Sequence, residues 1–325
     1  MPTLPAPFDS CLVADGQRFA LPALLARLAP LLQPLHIGDA GLAARARPIL
    51  PNPDEHELLQ RQMALEGYYA FRAHGRWRGH PLQAMATVVA RLAQAGIPPV
   101  FCFLADEFWI SYARLQPLLK SALEGEDYWL LPDFWAWHVD PAAGEAGWSL
   151  HRDLGARSLT ADGAAGALSV WIPLVPVDSF SGCIMLVPRN RDAGHAEGRV
   201  NAADFGGQDI RTLNADAGDV MIWSQSLLHW GSRGSLLCER PRISISMALQ
   251  RRSLPAFNPP LLRPDVLPDP ALRLELIAKQ LLQYEATGKL APVWAEVARR
   301  LLGSGLSGLE YDLPDAWKWS PGEHG

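Results

Sequence analysis

In the stretch WSLHRDLGA, residues 148–156, an imidazole and a carboxylate stand two positions apart as His151 and Asp153. At the end of an extended strand, side chains at i and i+2 project to one side, so the pair can offer two ligands to one metal ion. As an isolated pattern it equally describes a solvated polar turn. A third ligand stands downstream in GDVMIWSQSLLHWGS, where His229 follows a strand-like run. Two neutral imidazoles and one carboxylate on one face of an iron ion form the 2-His-1-carboxylate set, which leaves positions open for substrate, cosubstrate and dioxygen (O2). Thirteen residues beyond His229, Arg242 opens the run RISISMALQ. Its planar fork can hold a carboxylate through two parallel hydrogen bonds, which a lysine cannot do equally well.

These residues need strands to bring them together, and the sequence supplies short β-rich runs. They are DYWLLPDFWAWHV (127–139), GALSVWIPLVPV (166–177), GCIMLVP (182–188), GDVMIWS (218–224) and RISISMALQ (242–250). Several alternate with period two between Gly, Pro and Asp turns, which predicts a sandwich or barrel of antiparallel strands. EGYYAFRA (66–73) reads as a short strand and PPVFCFLA, from residue 98, as a buried one. Helical periodicity covers 18–33, 81–95 and 105–123, and returns after the Asp269-Pro270 cap in ALRLELIAKQLLQYEATG and APVWAEVARRLLG. One compact unit is expected: an N-terminal helical and strand elaboration over 1–97, a β core over 98–252 and a helical extension over 253–325.

At 325 residues, 49% hydrophobic and with a formal net charge of −5, the chain has the balance of a soluble globular protein without the basic surface that would favour nucleic acid. No apolar run is long enough for a transmembrane helix, and the first residues do not follow the pattern of a secretory signal. The four cysteines, Cys11, Cys102, Cys183 and Cys238, lack CxxC spacing and read as reduced thiols of a cytoplasmic protein. The expected partner is a small molecule, with no nucleic acid and no membrane; the oligomeric state is not encoded in any readable feature.

The order of features is specific. An HxD, a tryptophan-bearing strand, a glycine-led strand ending in Val-Pro, a Gly-Asp strand, a histidine and a Pro-Arg strand together resemble the phytanoyl-CoA dioxygenase (PhyH) family over roughly residues 125–250. The resemblance implies a mainly β protein with flanking helices around a double-stranded β-helix, a cupin-like jelly-roll. It implies Fe(II), 2-oxoglutarate and O2 as cofactor and cosubstrates, with hydroxylation of a C–H bond coupled to decarboxylation of 2-oxoglutarate to succinate. His151, Asp153 and His229 then become the iron ligands and Arg242 the partner of the distal carboxylate of 2-oxoglutarate. Trp171 becomes a cosubstrate wall, and Ser244 adds a hydroxyl to the same carboxylate. Iron halogenases of this architecture carry Ala or Gly in place of the acid, so Asp153 favours hydroxylation. Two features depart from the family: Arg240 occupies the more usual arginine spacing, and Arg189-Asn190-Arg191 replaces the usual Gly-Ser-His.

Other residues carry competing readings. Trp137 and Trp148, with Trp135, are either core or an aromatic wall of the substrate pocket. Arg189 is a candidate for an anionic substrate group. His138 reads as a core or pocket histidine, His195 as a solvent-facing one, and Arg152 points away from the metal by strand alternation. The rival functions are a zinc-dependent hydrolase, since zinc also accepts His and Asp, and a non-catalytic jelly-roll binding or sensor protein.

Overall fold

A computed structural model of the protein describes residues 21–73, 75–285 and 290–308. Cys11 and the expected beginning of the first helix at 18–20 lie outside them. Three helices open the described chain: α1 (Leu21–Leu32), α2 (Ala40–Arg45) and α3 (Pro53–Glu66). The third starts on a reciprocal capping box between Asn52 and Glu55 with Pro53 in its first turn, and it stops at Gly67, whose φ of 79° suits a residue without a Cβ. Strand β1 (Tyr68–Phe71) and helix α4 (Leu82–Gln94) follow.

The run PPVFCFLA is not a strand. It forms a buried 3-10 turn, Pro99–Leu104. Pro98 and Pro99 restrict the local backbone and cannot donate to a ladder, and a uniformly apolar run has no period to separate strand from turn. The helix expected over 105–123 is likewise two, α5 (Asp106–Arg114) and α6 (Gln116–Ala122), with Pro117 in the first turn of the second.

The remaining strands are β2 (Tyr128–Val139), β3 (Ala167–Pro173), β4 (Ile184–Leu186), β5 (Arg211–Leu213), β6 (Val220–Ser224), β7 (His229–Gly231) and β8 (Arg242–Arg251). They make a five-stranded antiparallel sheet ordered β1-β6-β3-β8-β2 and a three-stranded sheet ordered β5-β4-β7. This is the expected jelly-roll in distorted form. Helices α7 (Pro270–Gln283) and α8 (Pro292–Gly303) close the described chain. Among the described residues no helix is long and apolar enough to cross a membrane.

Strand alternation decides what the jelly-roll encloses. On β8, Ile243, Ile245, Met247 and Leu249 join the large core under the helices, as do Leu168, Val170 and Ile172 of β3. The opposite face turns Arg242, Ser246 and Ala248 toward the space between the sheets. Burial of apolar side chains against helices therefore carries most of the stability, at about 25 cal/mol per Å², and leaves the interior free to hold polar groups.

Helix α7 is tied to the sheet and to the start of α5. The Gln280 side chain donates to the Pro132 carbonyl and accepts from the Phe134 N–H at 3.1 Å. Arg273 donates to Asp106 at 2.5 Å and to the Leu104 carbonyl at 2.8 Å, with the Arg273 and Asp106 side chains almost completely buried. Removing one partner strands a buried charge. Arg273→Ala is expected to lower the unfolding free energy by about 3–5 kcal/mol, read from the midpoint and slope of a urea transition, whereas a loss under about 1 kcal/mol would show that α7 does not depend on this pair.

Candidate metal centre

The loop that follows β2 carries the HxD, and β7 carries the distal histidine. His151 and His229 face each other as an isolated antiparallel bridge, in which each N–H donates to the other's carbonyl, at 3.1 and 3.0 Å. Directly opposed residues project to the same side, so the two rings stand 4.2 Å apart between centroids. Asp153, two residues along, brings its Oδ1 to 3.4 Å from Nε2 of His151 and 3.6 Å from Nε2 of His229. One ligand atom from each of the three side chains lies within 4.8 Å of the others.

Neighbouring groups set the state of each donor. Nδ1 of His151 lies 2.7 Å from the Ser149 carbonyl, and Nδ1 of His229 lies 3.1 Å from that of Leu227. A carbonyl only accepts, so both Nδ1 atoms carry the proton and both Nε2 lone pairs face the shared centre. Burial lowers the pKa of His229 to about 4, which keeps it neutral, the form that binds a metal. For His151, burial acts downward, but the hydrogen bond and charge of Asp153 outweigh it and raise the pKa. Burial would push the Asp153 carboxyl upward, but the two histidines and Ser169 hold it well below the ordinary range, so it stays ionised. Ser169 on β3 donates to Asp153 Oδ2 at 2.6 Å and accepts from Gln225 Nε2 at 3.2 Å. That chain occupies one carboxylate oxygen and leaves the other facing the two imidazoles. Two imidazoles with their Nδ1 protons engaged by carbonyls and one anionic oxygen around a common point suit a divalent iron ion with open positions.

Arg152, between the two ligands in sequence, turns the other way. It forms a buried ion pair with Asp192 at 2.7 Å and donates to the carbonyls of Ser226 and Arg199. The same pair explains why His195, expected in solvent, is buried: Asp192 is drawn inward and carries His195 beside it. His138 is half-buried and does not join the three ligands.

A cavity of about 490 Å³ opens over the triad, with Trp137, Trp148, Trp171 and Arg242 in its wall. Arg242 is only 2% exposed. Its Nη1 donates to the Gly182 carbonyl at 2.8 Å, and its Nε has no partner. Burial lowers its pKa to about 10, so it remains a cation at neutral pH. Two glycines make room for it: a Cβ on Gly147 would stand 2.7 Å from Nη2, and one on Gly231 3.1 Å from Nη1. Ser244, two residues on and fully buried, has an unpartnered hydroxyl. Arg240 is at the surface, 48% exposed and paired with Asp178 at 3.3 Å. Arg189 does not line the cavity; its guanidinium donates to the Gly163 carbonyl at 3.0 Å. Tyr284, at the end of α7, stacks on Trp148 at 5.3 Å and is a wall residue absent from the sequence reading.

A jelly-roll that holds a 2-His-1-carboxylate set beneath a cavity defines a mononuclear non-haem iron oxygenase. The phytanoyl-CoA dioxygenase (PhyH) family matches residues 70–234, half of the chain, and the protein belongs to that family. It is an Fe(II)- and 2-oxoglutarate-dependent oxygenase, rather than a zinc hydrolase or a non-catalytic sensor. No curated protein compared with the chain matches it. Among solved structures it is similar to the apo form of ThoJ, a non-haem monooxygenase, with 13% identity and a TM-score of 0.50 over 74% of this chain and 98% of that one. It is also similar to SnoN, a non-haem alpha ketoglutarate dependent epimerase from nogalamycin biosynthesis, with 18% identity and a TM-score of 0.45 over 65% and 94% of the two chains. A third is EctD from S. alaskensis, with 15% identity and a TM-score of 0.47 over 68% and 89%. At 13% identity, the likeness to ThoJ bears on the fold alone.

Ser169→Ala removes the hydrogen bond that holds Asp153 Oδ2. Loss of a group that orients a ligand typically weakens metal binding by about 10–100-fold, and a drop of that size is expected in calorimetric titration with Mn(II) as the redox-inert stand-in. An unchanged affinity would mean that Asp153 is positioned without it.

Proposed function

We propose that the protein hydroxylates a C–H bond of a small organic molecule, with His151, Asp153 and His229 holding Fe(II) and Arg242 binding the distal carboxylate of 2-oxoglutarate. The observation that carries the reading is a buried guanidinium without a carboxylate partner, lining the same cavity as the triad. Iron with bound 2-oxoglutarate supplies the dioxygen-dependent oxidation, coupled to decarboxylation of the keto-acid to succinate. The chain's own residues place and enclose the reactants. The triad would hold the ion through its two Nε2 atoms and Asp153 Oδ1. Arg242 offers a charge-assisted fork whose position Gly182, Gly147 and Gly231 define, and Ser244 lends a hydroxyl from the same strand face. Trp171 closes one wall of the cosubstrate pocket. Trp137 and Trp148 pack on the substrate and exclude water. Asp153 fills the position that a chloride would need, which supports hydroxylation over halogenation.

The helices before and after the jelly-roll share its large core, which supports reading the described chain as one oxygenase unit. Cys102, Cys183 and Cys238 are free and buried, in keeping with a reducing, cytoplasmic setting.

Two measurements test the assignment. Anaerobic addition of Fe(II) and 2-oxoglutarate should give the weak visible charge-transfer band of the chelate, and His151→Ala and His229→Ala should abolish it; a band that survives in both variants removes the ligand assignment. Arg242→Ala should raise the 2-oxoglutarate concentration needed for half-maximal succinate release by roughly ten- to a hundredfold, since a hydrogen bond to a charged group contributes about 1.5–3 kcal/mol. Arg240→Ala should leave that requirement unchanged, and the reverse pattern would transfer the role.

A further inference from the structure

The cavity does not end at the triad. Past the aromatic wall it reaches Asp133, Asn258 and Gln283. Asp133 sits in β2 where the register against β8 shifts between Leu130 and Phe134, at the point where Gln280 of α7 grips the strand. Its carboxylate is held by neutral amides: Asn258 Nδ2 donates to Oδ2 at 3.1 Å, and Gln283 Nε2 donates to Oδ1. Among the described residues no Lys, Arg or His lies within ion-pair distance of it. Burial lowers the Lys279 pKa to about 8 against the opposing charge of Asp133; its Nζ donates to Asn258 Oδ1 and it does not line the cavity. The carboxylate therefore faces the cavity with Asn258 between it and the lysine.

A count of donors sharpens this. Asn258 Nδ2 also donates to Gln283 Oε1 at 3.3 Å, so both of its N–H groups are spent inside the cluster, along with one from Gln283. Gln283 Oε1 accepts from Asn258 and Gln280, and Asn258 Oδ1 from Lys279, so what remains is chiefly the second lone pairs of the Asp133 carboxylate. Beside them stand aromatic faces: Trp137 meets Trp148 at 5.4 Å between centroids, and Trp148 stacks on Tyr284. Burial raises the Tyr284 phenol pKa, and the charge of Asp133 raises it further. Arg157 also lines the cavity, but it is exposed and its field is screened by solvent.

We propose that the substrate is an organic amine bound as its ammonium ion, with the nitrogen held by Asp133 against Trp137, Trp148 and Tyr284. The inference rests on the oxygenase reading only for what happens next, since it is that reading that makes the carbon chain run toward the triad. A cation gains both from the carboxylate and from the negative faces of the rings in a partly desolvated site. A neutral alcohol of the same shape forms hydrogen bonds but lacks the Coulomb attraction, and a carboxylate meets lone pairs of its own sign.

The test uses three isosteric probes, phenethylammonium, 2-phenylethanol and phenylacetate, titrated into the full chain and followed by tryptophan fluorescence, with and without Fe(II) and 2-oxoglutarate under argon. Phenethylammonium is expected to bind on the order of tenfold tighter than the alcohol, with phenylacetate weakest. In Asp133→Asn the ammonium and the alcohol should converge to within about twofold. Equal binding of alcohol and ammonium by the unaltered protein, tighter binding of phenylacetate, or a preference that survives in folded Asp133→Asn would each overturn the proposal. The series on the unaltered protein decides alone if that variant does not fold. Absence of the Fe(II)·2-oxoglutarate band in the same protein would count against the oxygenase reading instead, while the preference among probes in metal-free protein stays readable.

Discussion

A single backbone pairing governs the site. His151 and His229 exchange two N–H···O=C bonds across an antiparallel bridge that extends no further as a regular ladder. Paired this way, their side chains have no freedom to choose different faces, and Asp153 follows by strand geometry. The bridge is short, so its stability comes from what anchors the loops around it. Arg152 supplies that anchor: its guanidinium ties the HxD segment to Asp192 and to the carbonyls of Ser226 and Arg199. The residue between the two ligands works away from the metal, by holding still the backbone that presents them.

The sheet can afford a polar interior because its hydrophobic burial lies elsewhere. Strands β3 and β8 send their aliphatic residues outward under the helices, and a smaller cluster between the sheets packs around Trp171, Met221 and Trp223. Ser169, Arg242, Ser246 and the ligands occupy the interior positions that this arrangement leaves. The C-terminal helices thus cover the sheet, and through the grip of Gln280 on β2 they also deliver Gln283 and Tyr284 to the far end of the cavity.

Legibility followed chemistry more closely than it followed local structure. His151, Asp153 and His229 were readable because metal coordination tolerates few residue types, and their order along the strands matched a family. Arg242 was separable from Arg240 only by strand phase; in the structure Arg242 lines the cavity and Arg240 pairs with Asp178 at the surface. Residues that act through tertiary placement left no such mark. Tyr284 ends a helix whose leucines announce a core, and Asp133 sits in a bulge that no periodicity reports. His195 is buried because a partner forty residues away from its anchor pulls Asp192 inward. The PPVFCFLA segment failed for a different reason, since a run buried on every side has no polar positions from which to read a period.

The state of Arg242 bears on how binding is prepared. A buried guanidinium with one carbonyl partner and a free Nε is an expensive arrangement, since an uncompensated charge away from water costs several kcal/mol. A chain that held it there for stability alone would gain by pairing it with an acid, and among the described residues no carboxylate forms an ion pair with it. Gly147 and Gly231 instead remove the side chains that would displace it. On the reading proposed above, the incoming dicarboxylate completes the missing pair, and the desolvation already borne by the folded chain need not be borne again on binding. The guanidinium is fixed in direction before the ligand arrives, which favours an anion of one length and orientation over anions in general. Ser244, on the same strand face, also has an unpartnered buried hydroxyl, but it does not line the cavity.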